Sequence, residues 1–200
     1  MNQVQTLSQR QNPVQSICLA ILKIRRWKII GSFPLIPKYL VVGAPHTSNW
    51  DWVNTILLKG ASGVDIHWVG KDSLFRWPLG TLMKRLGGIP VNRRERANFT
   101  DQIIELFNSR SQLAIAIAPE GTRGKSTYWR SGFYYMAVGA QVPIQLVAMD
   151  YKNRTLEIGP LFSPSGEIDK DFTIIRKFYE GVQGKYPKHQ GEIRLRPEDY

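Results

Sequence analysis

Short unbroken apolar runs alternate along this chain with longer stretches in which apolar positions recur every three or four residues. The runs are YLVVGA (39–44), DIHWVG (65–70), GIPV (88–91), LAIAIA (113–118), PIQLVAMDY (143–151) and TLEIG (155–159). Runs of this length between turn residues read as strands. The periodic stretches predict helices from Trp50 to Lys59, from the 65–70 run on to Leu86, and over Phe99–Asn108, Gly132–Gly139 and Lys170–Val182. Val14 to Arg26 predicts an amphipathic helix, because Val14, Ile17, Ile21 and Ile24 share helical spacing and basic residues gather at its end.

Strands alternating with helices imply an α/β fold. The expectation is a single domain over residues 14–200, with a mostly parallel mixed sheet flanked by helices and the amphipathic helix at its N-terminus. Residues 1–13 open on MNQVQTLSQRQN, which is polar and predicted disordered. In open α/β sheets, ligands bind beyond the carboxyl ends of the strands. His46 follows the 39–44 run, Arg93 the 88–91 run, and Glu120 to Arg123 the 113–118 run. These residues are therefore expected at one edge of the sheet.

Composition narrows this picture. Of the 200 residues, 42% are hydrophobic and 22% charged, as in an ordinary globular domain. A single cysteine, Cys18, allows no intrachain disulfide and suits a reducing compartment. The net charge is +11, and no acidic residue precedes Asp51. Residues 1–40 carry Arg10, Lys23, Arg25, Arg26, Lys28 and Lys38, and a second basic cluster holds Lys84, Arg85, Arg93, Arg94 and Arg96. Such a surface attracts anionic headgroups or phosphorylated small molecules. No recognisable nucleic-acid-binding module accompanies it, so no nucleic-acid partner is expected. No run reaches the ~18 apolar residues of a membrane span. An acid-free start bearing an arginine is compatible with a transit peptide, but the basic character continues into core elements, which argues against one.

The candidate chemistry centres on APHTSNWDW (44–52). An unperturbed histidine titrates near pH ~6.5 and so exchanges a proton at neutral pH. A carboxylate on its other ring nitrogen fixes the tautomer and stabilises the imidazolium. Five positions on one helix would place His46 and Asp51 about 140° apart, out of contact. Thr47, Ser48 and Asn49 are helix-capping types. A helix starting at Asn49 or Trp50 lets His46 fold back from the preceding turn over Asp51. Ser48 reads as a cap rather than a nucleophile, and His67 as a core or interface residue. His189 falls in a polar tail.

APEGTRGKST (118–127) contains Gly124-Lys125-Ser126, yet Pro119 stands where a P-loop needs glycine. The better reading is a tight turn at Gly121 that presents Arg123 to an anion. There is no G-x-S-x-G elbow and no cluster with metal-ligand spacing, so neither a metal nor a bound cofactor is expected.

HTSNWD, GGIPVNR, PEGTR and VPIQLV occur in that order. Together they resemble the four blocks of the glycerolipid acyltransferase family, the lysophosphatidic acid acyltransferases. The resemblance spans residues 46 to 147. It implies acyl transfer from a thioester donor, acyl-CoA or acyl carrier protein, to the free hydroxyl of a lysophospholipid such as 1-acyl-sn-glycerol 3-phosphate. By position, His46 would be the base and Asp51 its partner. Arg93, Glu120, Gly121, Thr122 and Arg123 would bind the acceptor's phosphate and shape its pocket. Pro90 and Gln145 depart from residues common in the family and leave the acceptor open. Transacylation, another lipid hydroxyl, or non-enzymatic binding of anionic lipid are the alternatives.

A peripheral site on the cytoplasmic face of a membrane, with no span, fits the rest of the chain. Val14–Arg26 suits an anionic membrane surface. So does KDSLFRWPLGTLMKR (71–85), which interleaves Leu74, Phe75, Trp77, Leu79, Leu82 and Met83 with four cationic side chains.

Overall fold

The structure is a computed structural model that describes residues 12–91 and 96–196, with backbone alone at 96–98. In chain order the elements are α1 (Pro13–Ile24), β1 (Lys28–Ile30), β2 (Lys38–Ala44), α2 (Asn49–Ser62), β3 (Ile66–Lys71), α3 (Gly80–Arg85), β4 (Gly88–Val91) and α4 (Arg96–Asn108). Then follow β5 (Leu113–Ile117), α5 (Gly132–Gly139), β6 (Ile144–Asp150), β7 (Thr155–Phe162) and α6 (Ile168–Tyr179).

The strands form one sheet in the order β1-β7-β6-β2-β5-β3-β4. β2 runs parallel to both its neighbours, β5 and β6, and β3 runs parallel to β5 and β4. β7 is antiparallel to β6, and β1 is parallel to β7. The sheet is therefore mixed, with its parallel part around β2. The expected α/β architecture holds.

Alternation along the strands supplies both cores. Leu40, Val42 and Ala44 of β2 join Ile144, Leu146 and Ala148 of β6 on the face covered by α4, α5 and α6. Tyr39 and Val41 point to the other face, with Leu57 and Leu58 of α2 and Cys18 and Leu22 of α1. Strands buried on both faces explain why the runs are solidly apolar. α1 and α2 approach closely where Gly60 meets Cys18: a Cβ on Gly60 would stand 2.3 Å from the Cys18 sulfur.

One expectation needs correction. The 71–86 stretch is not one helix. It is a 3-10 turn (Asp72–Phe75) followed by α3, with Trp77-Pro78 between them. Proline pushes the residue before it out of the helical region, which breaks the stretch there. In α1, the stripe of Val14, Ile17, Ile21 and Ile24 is exposed, and Cys18 and Leu22 face the core. Strand β1 was not anticipated, since three residues carry no usable period. Of residues 1–13, expected to be disordered, 1–11 lie outside the described residues. Asn12 caps α1 through its side chain, and Pro13 is the first helical residue. Among the described residues, no helix is long and apolar enough to cross a membrane.

Candidate active site

The carboxyl ends of β2 and β5 lie side by side, because their register pairs Val42 with Ile117. The loops that leave them carry His46 and Glu120. Ser48 caps α2, as its type predicts, accepting the Trp50 N–H at 3.0 Å. The helix starts at Asn49, so His46 sits in the turn before it. Its Nδ1 lies 3.3 Å from Oδ2 of Asp51. That separation is long for a hydrogen bond and within ion-pair range.

Asp51 does more than face the histidine. It is 1% exposed, and its Oδ2 accepts the N–H groups of Thr47 and Ser48, each at 2.8 Å. It thereby closes the capping box that fixes the turn. Its Oδ1 accepts the Tyr151 hydroxyl at 2.6 Å. Burial and then the adjacent Asp51 carboxylate push the Tyr151 phenol well above its ordinary pKa, so it is a donor at neutral pH. The Tyr151 hydroxyl oxygen in turn accepts the side-chain amide of Asn54 at 3.1 Å, and the Asn54 side-chain oxygen accepts Arg25 Nη1 at 2.9 Å. Sequence reasoning missed Tyr151. The available signal was its place, one residue beyond β6, the strand beside β2.

Glu120 forms the floor of the site. It is 5% exposed, and its Oε1 accepts the His46 backbone N–H at 2.9 Å. Its Oε2 is buried with no partner among the described residues. Burial raises its pKa, and the His46 N–H offsets this in part. Ionised Glu120 therefore opposes folding, and its contribution is most favourable below about pH 4.5 and is lost as pH rises through the raised value. Glu120→Gln keeps an acceptor for His46 and removes the charge. The variant is expected to melt above wild type at neutral pH, with the gap closing as pH falls toward 4.5. Thermal melts at several pH values check this.

Gly121 has φ +65°, the left-handed turn expected of it, and a Cβ there would stand 2.8 Å from Nε of Arg130. Thr122 and Arg123 are exposed. Arg123 donates to the Asn49 side chain, which puts its guanidinium at the N-terminus of α2. His46, Asp51, Glu120 and Arg123 are thus brought together at one edge. Arg93 lies outside the described residues.

The segment after α6, expected as a polar tail, returns to this edge. The Tyr186 N–H donates to Thr47 Oγ1 at 3.2 Å, and Gly184 packs so closely on Thr47 that a Cβ would come within 2.9 Å. Lys185 Nζ lies 4.7 Å from the centre of the Trp50 ring. A small cavity beneath is lined by Pro45, Glu120, Trp129, Tyr179 and Gln190. His67 lies on β3, away from these loops, with burial lowering its pKa.

A histidine backed by a buried carboxylate, set beside an arginine at the strand ends of an α/β sheet, suits proton transfer in a group-transfer reaction. A family model described as Acyltransferase matches residues 30–150, the span that holds His46, Asp51 and Glu120–Arg123. The protein is an acyltransferase. More particularly, the chain belongs to the acyltransferase family through that match, which covers more than half of it. Its fold is similar to the crystal structure of the 1-acyl-sn-glycerophosphate (LPA) acyltransferase PlsC from Thermotoga maritima. The TM-score is 0.60 at 19% identity, covering 84% of this chain and 77% of that one. No curated protein matches the chain.

Proposed function

We propose that the protein transfers a fatty acyl group from a thioester, acyl-CoA or acyl carrier protein, to the free hydroxyl of a lysophospholipid. The acceptor most in keeping with the site is 1-acyl-sn-glycerol 3-phosphate. The observation that carries this reading is the His46 imidazole, 27% exposed, with its Nδ1 turned to buried Asp51 beside Arg123.

A hydroxyl is a poor nucleophile until its proton is taken as it attacks. His46 takes that proton through Nε2, and Asp51 stabilises the imidazolium. The hydroxyl oxygen bonds to the thioester carbonyl carbon, whose oxygen becomes negative. The N–H groups of Thr47, Ser48, Trp50 and Asp51 are engaged within the turn. The Asn49 N–H takes no part in those bonds and is assigned to the oxyanion. As the C–S bond breaks, the imidazolium returns the proton to the departing sulfur. Arg123, at a helix N-terminus that itself favours anions, holds the acceptor's phosphate together with Arg93. Gly121 and Thr122 shape that pocket. Glu120 supports it from below, by holding the His46 backbone.

The membrane surface supplies both lipid and orientation. Ile17 and Ile24 are 58% and 80% exposed, and Trp77 is 94% exposed beside exposed Arg76. Apolar side chains ringed by cations fit a peripheral site on the cytoplasmic face of an anionic bilayer. Ile24→Glu is expected to weaken binding to anionic vesicles at least about tenfold, because burying one such side chain is worth about 1.5–3 kcal/mol and each ~1.4 kcal/mol is a factor of ten. Vesicle co-sedimentation measures this, and unchanged binding removes α1 from the membrane face.

Purified protein incubated with a panel of lysolipids and each donor tests the reaction. The expected result is a new acyl ester on 1-acyl-sn-glycerol 3-phosphate. No ester on any lysolipid, with either donor, would overturn the reading.

A further inference from the structure

We propose that Tyr151, Asn54 and Arg25 form a positioning relay for the reaction proposed above, holding the carboxylate of Asp51 in the plane that presents it to His46. The inference rests on that reading of the dyad.

Asp51 has two oxygens and is buried. Thr47 and Ser48 fix only Oδ2, the oxygen that also faces His46. Both of those donors come from the same turn as the histidine, so they cannot alone hold the carboxylate against rotation about its own axis. Tyr151 supplies the missing constraint at Oδ1, from 100 residues further along the chain. A short bond to an ionised acceptor is the strong kind.

The tyrosine is itself held at three points. Its ring meets Trp27 edge-on, with centroids 4.9 Å apart. Its backbone N–H donates to Gln183 O at 2.8 Å. Its hydroxyl accepts from Asn54, which is 0% exposed and sits one turn along α2 from Asp51. Because that oxygen accepts from Asn54, its own proton is directed to Asp51. Arg25, just past α1, fixes the orientation of the Asn54 amide by donating to its oxygen. Arg25 also lies over the Trp50 ring, 5.3 Å from its centre. The relay therefore runs from the end of α1 to the candidate base, through four side chains. None of Arg25, Asn54 or Tyr151 need touch substrate; they act through Asp51.

Steady-state kinetics on the full chain with the responsive lysolipid tests the relay. Tyr151→Phe keeps the ring and removes only the hydroxyl. The expected outcome is a kcat about tenfold below wild type, with KM for donor and acceptor unchanged within about twofold. A merely structural role would lower the melting temperature without this split. Wild-type kcat, or a rise in KM with kcat unchanged, overturns the relay. Should Tyr151→Phe not fold, the test passes to Arg25→Met at the part-exposed end. Its kcat is expected to fall about threefold, and an unchanged kcat there overturns the relay. His46→Ala is assayed in parallel. Full activity in that variant overturns the functional reading itself, whereas an inactive His46→Ala beside a wild-type Tyr151→Phe overturns the relay alone.

Discussion

Replacing His46 by alanine is expected to lower acyl transfer by about 10²–10⁴-fold, the range typical of a lost general base. The effect should fall on kcat, because the imidazole takes the proton only as the new bond forms. Folding should survive. The His46 backbone N–H, which is what Glu120 holds, remains in the variant. The side chain is 27% exposed and leaves no sealed cavity. Assay of His46→Ala beside a thermal melt separates the two outcomes. A variant that melts like wild type and still transfers acyl groups at full rate would remove His46 from the chemistry.

Asp51→Ala is expected to fail in a different way, losing stability as well as rate. Three donors lose their acceptor at once: the N–H groups of Thr47 and Ser48 and the hydroxyl of Tyr151. Each buried group left unpaired costs about 1–3 kcal/mol. Water entering the space freed by the carboxylate offsets part of this, so a net loss of about 3 kcal/mol is reasonable. In a chain of this size that corresponds to a fall in melting temperature of roughly 6–12 °C. The kcat loss should be large but smaller than that of His46→Ala, and combining the two substitutions should add little to the His46→Ala loss, since the pair works as a unit. A variant with an unchanged melting temperature would mean that the capping turn stands without its carboxylate.

The parts of this arrangement that could be read in the sequence are those made by neighbours in the chain. YLVVGA announces a buried strand, and Thr47, Ser48 and Asn49 announce a helix start. From these alone, the fold-back of His46 onto Asp51 was predictable, and so was the left-handed turn at Gly121. The unreadable parts come from distant pairings. Nothing local marks Lys28–Ile30 as a strand; β7 makes it one. In α1, helical periodicity identified an apolar stripe, but Cys18 and Leu22 lie on a second stripe of the same helix. Which stripe faces inward depends on Gly60, 42 residues from Cys18 along the chain, allowing α2 to approach there. Tyr151 is marked only by its place after β6 and Tyr186 by nothing local, because their partners lie in the 47–54 segment.

That last feature has a bearing on how the protein is made. The loop at His46 is joined to residues 74, 100 and 139 positions away in sequence. During synthesis, the first half of the dyad's surroundings leaves the ribosome long before Tyr186 does. At about 5–20 residues per second, the histidine waits some seconds for the tyrosines that complete its turn. A nascent chain stalled before Gln183 therefore carries the whole four-block pattern and no finished site. The turn that holds His46 is complete only once residues as late as Tyr186 have folded back onto it.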